Sequence, residues 1–267
     1  MKEKDLGVYR AMKKILMFLV TVVLFCSSVG FSAELEEKKI GVTFQLDYLS
    51  QWLSKGAPGY GKQGAVFETV DLDLWGSGFG VKVTHRSATS SGYVDKQRFD
   101  YRPYYKGKAF TGERYQINYD ISVGYEHYYG LATKKANTTW EWIYGFTFPN
   151  LLPKGFTPKY IAHYEYPAFS GEKYNYIAGW VHRFLLNYDL EVSQLPAPLV
   201  LSSEVAYSGG LGGANNDWSY ATLGASTSFK LGEQITLTPG VYYQISMEDS
   251  VCDRNVLYST VSLKYKF

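Results

Sequence analysis

Cysteine is nearly missing from this chain: Cys26 and Cys252 are the only two in 267 residues. Cys26 falls in a leader segment and Cys252 in a polar loop, so no intramolecular disulfide is expected in the mature protein. Net charge is also small, with 27 Lys and Arg against 25 Asp and Glu. Removing residues 1–33 takes away five basic side chains (Lys2, Lys4, Arg10, Lys13, Lys14) and two acidic ones (Glu3, Asp5), leaving 22 against 23, or −1. Such a balance excludes the electrostatic footprint of a nucleic-acid binder. Metal-ligand spacing, a phosphate loop and a dinucleotide fingerprint are lacking too, so no metal and no cofactor is expected. The glycine run Gly209-Gly210-Leu211-Gly212-Gly213 leads to Asn215-Asn216-Asp217 rather than a helix and reads as a flexible loop.

Long apolar runs are scarce. The run at 15–25 is almost wholly apolar but too short, with the wrong flank, for a transmembrane helix. Met12-Lys13-Lys14 precedes it, and small residues lead to Ala33 and the charged Glu34-Leu35-Glu36-Glu37. This order describes a secretion signal over residues 1–33, cleaved after Ala33, ahead of a single domain at 34–267. The eleven residues before Met12 are unusual in a signal, and a start codon assigned too far upstream explains them. Lipidation at Cys26 is disfavoured, because Phe25 stands where a lipoprotein signal wants a small residue.

Aromatic residues, in contrast, are plentiful: 25 Tyr, 15 Phe and 6 Trp, or 17% of the chain. Amphipathic rings suit a membrane–water interface, although antiparallel sheets of secreted sandwiches favour them as well. Periodicity separates the two. In the last nine residues Val261, Leu263, Tyr265 and Phe267 share one strand face, and Thr260, Ser262, Lys264 and Lys266 the other. Tyr115, Ile117, Tyr119, Ile121, Val123 and Tyr125 alternate with polar residues for about twice the five or six residues of a sandwich strand. Strands of roughly ten residues are what a tilted bilayer crossing requires. The same alternation recurs from Ile40 onward in about twelve segments, centred near 40–52, 64–75, 79–86, 99–105, 115–126, 140–148, 159–167, 176–188, 199–207, 218–230, 235–247 and 259–267. The expected fold class is therefore all-β: a transmembrane antiparallel up-and-down barrel of about twelve strands, apolar toward lipid and polar toward a lumen. Such a barrel belongs in a bacterial outer membrane.

An even strand count returns both termini to the periplasmic side. Turns at 76–78, 107–112 and 231–234 are then periplasmic, as are the longer Pro-containing stretches 149–158 and 189–198. The Gly-, Asn-, Lys- and Asp-rich stretches at 87–96, 129–138, 209–217 and 248–255 become extracellular loops. Pro103, Pro167 and Pro239 fall in or at the ends of proposed strands, where each removes a ladder hydrogen bond and marks a bulge or a boundary.

The inward faces carry Asp47, Asp71, Asp73, Lys82, Arg86, Arg98, Asp100, Arg102, Asp120, Glu126, Glu141, Glu165, Arg183 and Glu204. All but Asp47 are taken as pore-lining candidates, along an aqueous path that selects among small polar solutes. The competing reading is that these charges pair across a narrow interior and plug it; a twelve-strand diameter leaves both open. Arg98, Asp100 and Arg102 put three charges on one strand face beside Lys82 and Arg86, a basic ladder expected to attract anions or be neutralised by Asp71 and Asp73. Partial dyads can be drawn from His85 with Ser87 and from His163 with Glu165, but neither lies in a nucleophile motif, so no catalytic residue and no enzyme is expected.

Leu46-Asp47-Tyr48-Leu49-Ser50, Ser54-Lys55-Gly56, and Val70-Asp71-Leu72-Asp73-Leu74-Trp75-Gly76-Ser77-Gly78-Phe79-Gly80 resemble the opening of the TorF-type bacterial outer-membrane porins. Those begin with a D-Y-x-S/R-x-G segment followed by a strand ending in a Gly-rich turn. Lys55 stands where that family usually shows Arg. Nucleoside-type channels are similar in strand number and Tyr content. The resemblance implies passive diffusion of small hydrophilic solutes and transfers no site residue. It also implies that the strand ending at Phe267 is read by the barrel-insertion machinery. Two alternatives remain: a non-conducting structural or adhesive barrel acting through its outer loops, and third, an outer-membrane lipid-modifying enzyme. Intact-mass measurement of protein from the membrane fraction is expected to give a chain beginning at Glu34; one retaining residues 12–33 would contradict the signal assignment.

Overall fold

A computed structural model describes residues 39–90, 97–128, 138–169 and 177–267. The expected signal at 1–33, most of the loop at 129–138 and much of that at 87–96 lie outside the described residues. The period-2 segments form twelve long strands: β1 Gly41–Leu49, β2 Ala65–Asp73, β3 Phe79–Ala88, β4 Gln97–Ala109, β5 Ile117–Tyr128, β6 Thr139–Thr147, β7 Phe156–Pro167, β8 Gly179–Leu190, β9 Leu199–Gly209, β10 Asn216–Ser226, β11 Ile235–Ser246 and β12 Val256–Lys266. Phe229–Lys230 is a two-residue continuation of β10 that still pairs with β11. Every strand pairs antiparallel with its chain neighbours, and β1 pairs with β12 from Thr43↔Lys266 to Leu49↔Thr260. The sheet is thus a closed twelve-stranded barrel, and closure satisfies backbone groups that an open edge would leave unpaired in lipid. Phe267 takes part: its N–H donates to the Val42 carbonyl at 3.0 Å, and its ring packs edge-on to Phe44 at 5.4 Å.

The alternation resolves into two surfaces. Phe44, Leu46, Tyr48, Leu223, Val241, Leu257, Val261 and Leu263 are exposed on the outside. The opposite face carries the buried polar residues, including Arg98, Asp100, Glu126, Glu141, Glu165 and Gln244. This is inside-out relative to a water-soluble protein and is the arrangement a lipid-facing wall requires. Stacked rings such as Phe146–Tyr160 and Trp180–His182 cover the outside of β6, β7 and β8.

Several boundaries differ from the sequence expectation. The turn expected at 107–112 is later, because β4 continues through Gly107 to Ala109 and pairs with β5 up to Ala109↔Ile117. Gly107 stays in the strand where the Tyr119 ring takes the space of a Cβ. Pro103 lies inside β4, and the ladder to β5 skips Arg102 and Pro103 without changing register. Pro239 is likewise inside β11, opposite Val261, whereas Pro167 ends β7. A register shift at Ala206/Tyr207 gives β10 an extra residue, Ser219, whose hydroxyl donates back to the Ala206 carbonyl at 3.1 Å.

Leu263 lies on the outer face in register with Leu46 and Leu237. Replacing it with Arg is expected to destabilise the barrel by about 2–4 kcal/mol in urea titrations of vesicle-embedded protein. Ser262→Arg, on the inner face opposite Asp47, should cost far less.

Candidate functional site

The end of the barrel opposite the termini, hereafter the loop end, is organised by the connection between β1 and β2. Leu53–Ser54 pairs with Ala57–Pro58, leaving Lys55 (φ 52) and Gly56 (φ 88) as a two-residue tip with both residues left-handed. Two positive φ values are the signature of a type I′ hairpin turn, and Gly supplies the second without steric cost. The hairpin folds into the barrel. Its base is fixed by Trp52, whose ring meets Tyr60 at 4.6 Å and Phe67 at 5.5 Å. The guanidinium groups of Arg86 and Arg98 lie 5.2 and 5.1 Å from the Trp52 ring centre, an attraction strengthened where water is excluded. Burial pushes the Tyr60 phenol above its usual pKa, so it remains a neutral donor, toward the Arg86 carbonyl at 3.3 Å.

The tip touches two further walls. On one, Lys55 Nζ lies 2.9 Å from Glu141 Oε1 and 2.6 Å from Glu165 Oε2, on β6 and β7. On the other, the Gly56 carbonyl accepts a hydrogen bond from Gln244 Nε2 of β11 at 2.8 Å, and the Tyr220 ring of β10 fills the place a Cβ would occupy. A fifteen-residue connection at 50–64 is therefore a strap across the lumen rather than an outward loop.

The candidate charges divide into two groups. Those near the loop end form one continuous chain of ion pairs. Asp100 joins Arg86 at 2.7 Å to Arg98 at 2.7 Å; Arg98 reaches Glu126 at 2.7 Å; Arg102 links Glu126 at 3.5 Å to Glu141 at 2.5 Å; Lys55 completes the row at Glu165. The strand register explains the pattern. Arg86 lies opposite Arg98, Asp100 opposite Glu126, and Glu141 opposite Glu165. Like charges directly across a ladder repel; Arg86 and Arg98 offset Asp100 and Glu126, while Glu141 and Glu165 are met by Arg102 and Lys55. Arg98, Asp100, Glu126 and Glu141 have side chains at most 4% exposed, where an unpaired charge would be prohibitive.

The second group is more dispersed. Lys82 approaches Asp71 at 3.7 Å, and Tyr104 donates to Asp71 at 2.7 Å. Asp120 lies opposite Lys106 in the ladder. Arg183 binds Glu204 through two hydrogen bonds at 2.6 and 2.7 Å, with Tyr220 donating to the same carboxylate at 2.6 Å. Asp73 is not brought to this interior: it accepts from the Gly76 N–H at 3.0 Å and caps the tight β2–β3 turn. The arginines of the basic ladder are accordingly met by Asp100, Glu126 and Glu141, Lys82 is met by Asp71 as expected, and Asp73 takes no part. Asp47 holds the Gln45 amide at 2.9 Å on the same strand.

Neither proposed histidine dyad forms as drawn. His85 faces outward and pairs with Glu68 at 2.8 Å, and His163 Nδ1 meets Glu141 at 3.0 Å. Among the described residues no group of His, Cys, Asp and Glu could hold a metal ion. Lys55, Trp52, Tyr60, Tyr220 and Gln244 escaped the sequence reading. The local signal was Lys55-Gly56 between Leu53-Ser54 and Ala57-Pro58, a hairpin tip by its glycine; its destination across the lumen had no local signature. Beside the tip lies a cavity of about 280 Å³, lined by Trp52, Lys55, Arg98, Glu126, Glu165 and Val251 among others.

Arg98→Ala would leave Asp100 and Glu126 without their shared cation and is expected to cost about 3–5 kcal/mol. Arg254→Ala, which removes only the exposed pair with Asp253, should cost about 0–1 kcal/mol in the same urea titration.

No family model and no curated protein matches the chain. Solved structures do. A KdgM porin aligns at TM-score 0.53 and 10% identity, over 84% of this chain and 99% of its own. A NanC porin aligns at 0.52 and 8% identity, over 86% and 100%. A KdgM porin in complex with disordered oligogalacturonate aligns at 0.50 and 10% identity, over 85% and 99%. At such identities the likeness is one of fold: this chain is a closed twelve-stranded antiparallel barrel of the kind porins use, with the lipid-facing exterior of a bacterial outer-membrane protein.

Proposed function

We propose that the protein is an outer-membrane channel for passive diffusion of small hydrophilic solutes, constricted by the β1–β2 hairpin. The observation that carries this reading is the strap itself. A barrel stabilised only as a scaffold could fill its interior with wall side chains, whereas here a separate segment crosses between walls, with the Lys55 ammonium on one and the Gly56 carbonyl on the other. The tip lies outside the barrel's strand ladder and meets the walls through terminal polar groups, so the tip can be displaced while Trp52 and Tyr60 keep its base in place. Away from it, Lys82 and Asp71 keep side chains 39% and 24% exposed, in contrast to the buried loop end. The loop end is then extracellular, and the candidates from Asp71 to Glu204, without Asp73, line the path. A TorF-type affiliation, a secretion signal at 1–33 and delivery through the strand ending at Phe267 belong to the same proposal.

A second reading has its own support. Lys55, Arg86, Arg98 and Arg102 balance Asp100, Glu126, Glu141 and Glu165 within one buried network, which suits a closed, non-conducting barrel. An enzymatic role gains nothing from the outward His85–Glu68 pair or the His163–Glu141 pair.

Planar-bilayer recording distinguishes the first two. Discrete ionic steps are expected from the folded wild type, and several-fold larger ones when residues 53–60 are replaced by a short Gly-Ser link. Barrels that are heat-modifiable on gels, and so folded, yet silent in both forms would establish the closed reading.

A further inference from the structure

Glu141 and Glu165 are directly opposed in the β6–β7 ladder. Arg102 reaches Glu141 but is shared with Glu126. The cation that both opposed carboxylates share comes from the hairpin, where Lys55 Nζ sits between them with its side chain 10% exposed. The acceptors thus belong to the wall, and the donor belongs to a strap. A lysine side chain is an ammonium group on a flexible apolar stem, so the pocket that accepts it is built to recognise an alkylammonium.

Two further features point the same way. The cavity beside the tip has both Lys55 and Glu165 in its lining, together with the apolar Val181, Leu211 and Val251 and the Trp52 ring. A solute there would meet the carboxylate with its ammonium and these walls with its carbon skeleton. His163, 8% exposed and bonded through Nδ1 to Glu141, has no hydrogen-bond partner for Nε2 among the described residues. The pair therefore has an unused polar atom beside it. Charge also discriminates. Lys55 places a positive charge between two opposed carboxylates, a position that an incoming ammonium can take over and an anion cannot. Further along the lumen Lys82, Lys106 and Lys159 lie with Asp71 and Asp120, so this selectivity belongs to the loop-end site rather than to the whole path.

We propose that the Glu141–Glu165 pair is a binding site for solutes carrying a primary ammonium group, occupied in the closed form by Lys55 and opened when a solute amine displaces it. The opening step rests on the channel reading; the binding site does not. A tethered lysine competes at an effective concentration in the millimolar range, so millimolar amine is required against the wild type and less against a variant lacking the ammonium.

Lys55→Met keeps the stem and deletes the charge. Thermal unfolding of this variant in detergent is expected at a lower temperature than wild type. Millimolar n-butylammonium chloride should restore several degrees, while KCl at equal ionic strength should not. Adding Glu165→Gln should weaken the n-butylammonium effect by roughly 10–100-fold in concentration, the loss expected for one charge-assisted hydrogen bond. If Lys55→Met does not fold, Lys55→Gln serves with the same readout. A Lys55 variant that responds to n-butylammonium no more than to KCl overturns the site. In planar bilayers, n-butylammonium on the loop-end side should raise wild-type conductance. Thermal rescue without any current would remove the channel reading and leave the site, whereas current without rescue would remove the site and leave the channel.

Discussion

A strand in hydrocarbon has no water to satisfy its N–H and C=O groups, so each must find a partner on another strand. From that constraint the rest of this molecule follows. It demands closure, which the pairing of β1 with β12 provides, and it demands an even number of hairpin-connected strands if both termini are to lie on one side. It also divides every strand into a lipid face and an interior face, which is why Leu263 can be exposed while Glu126 is buried.

Once the interior is polar, a second constraint arises. Opposed residues across a ladder are about 5 Å apart, and this chain places like charges there at Lys82/Arg102, Arg86/Arg98, Asp100/Glu126 and Glu141/Glu165. Each like pair needs opposite charge close by. Arg86 and Arg98 offset Asp100 and Glu126, and the second acidic pair, Glu141 and Glu165, meets Arg102 from the wall and Lys55 from the strap. Electrostatics of the wall and conformation of the strap are therefore one problem. The left-handed backbone at Lys55 and Gly56 exists to deliver an ammonium group to a place the barrel strands do not fill.

Architecture was legible because its signal is local. Alternation from Ile117 to Tyr125 survives in β5, with Tyr115 left in the turn before it, and strand order follows from chain order once hairpins are assumed. Boundaries were less legible where Gly and Pro suggested a break that neighbours overrule: Gly107 remains in β4 because the Tyr119 ring lies against it, and Pro103 is accommodated by omitting two positions from one ladder. The interior charges were visible as residues but not as pairs. Asp71 and Asp73 looked suited to neutralise the Arg98–Arg102 row, yet strand stagger gives that role to Glu126 and Glu141, while Asp73 is drawn to the Gly76 amide. His163 was drawn to Glu165, but its Nδ1 bonds to Glu141.

By itself the sequence determined the period of two, the length of the strands, and hence an all-β transmembrane barrel with charge on its inside, because strand geometry turns alternation directly into two faces. Only the tertiary structure decided which charges meet and where the β1–β2 connection goes. Those are matters of stagger around a closed wall and of contact between residues as distant in sequence as Gly56 and Gln244, and no local pattern encodes either.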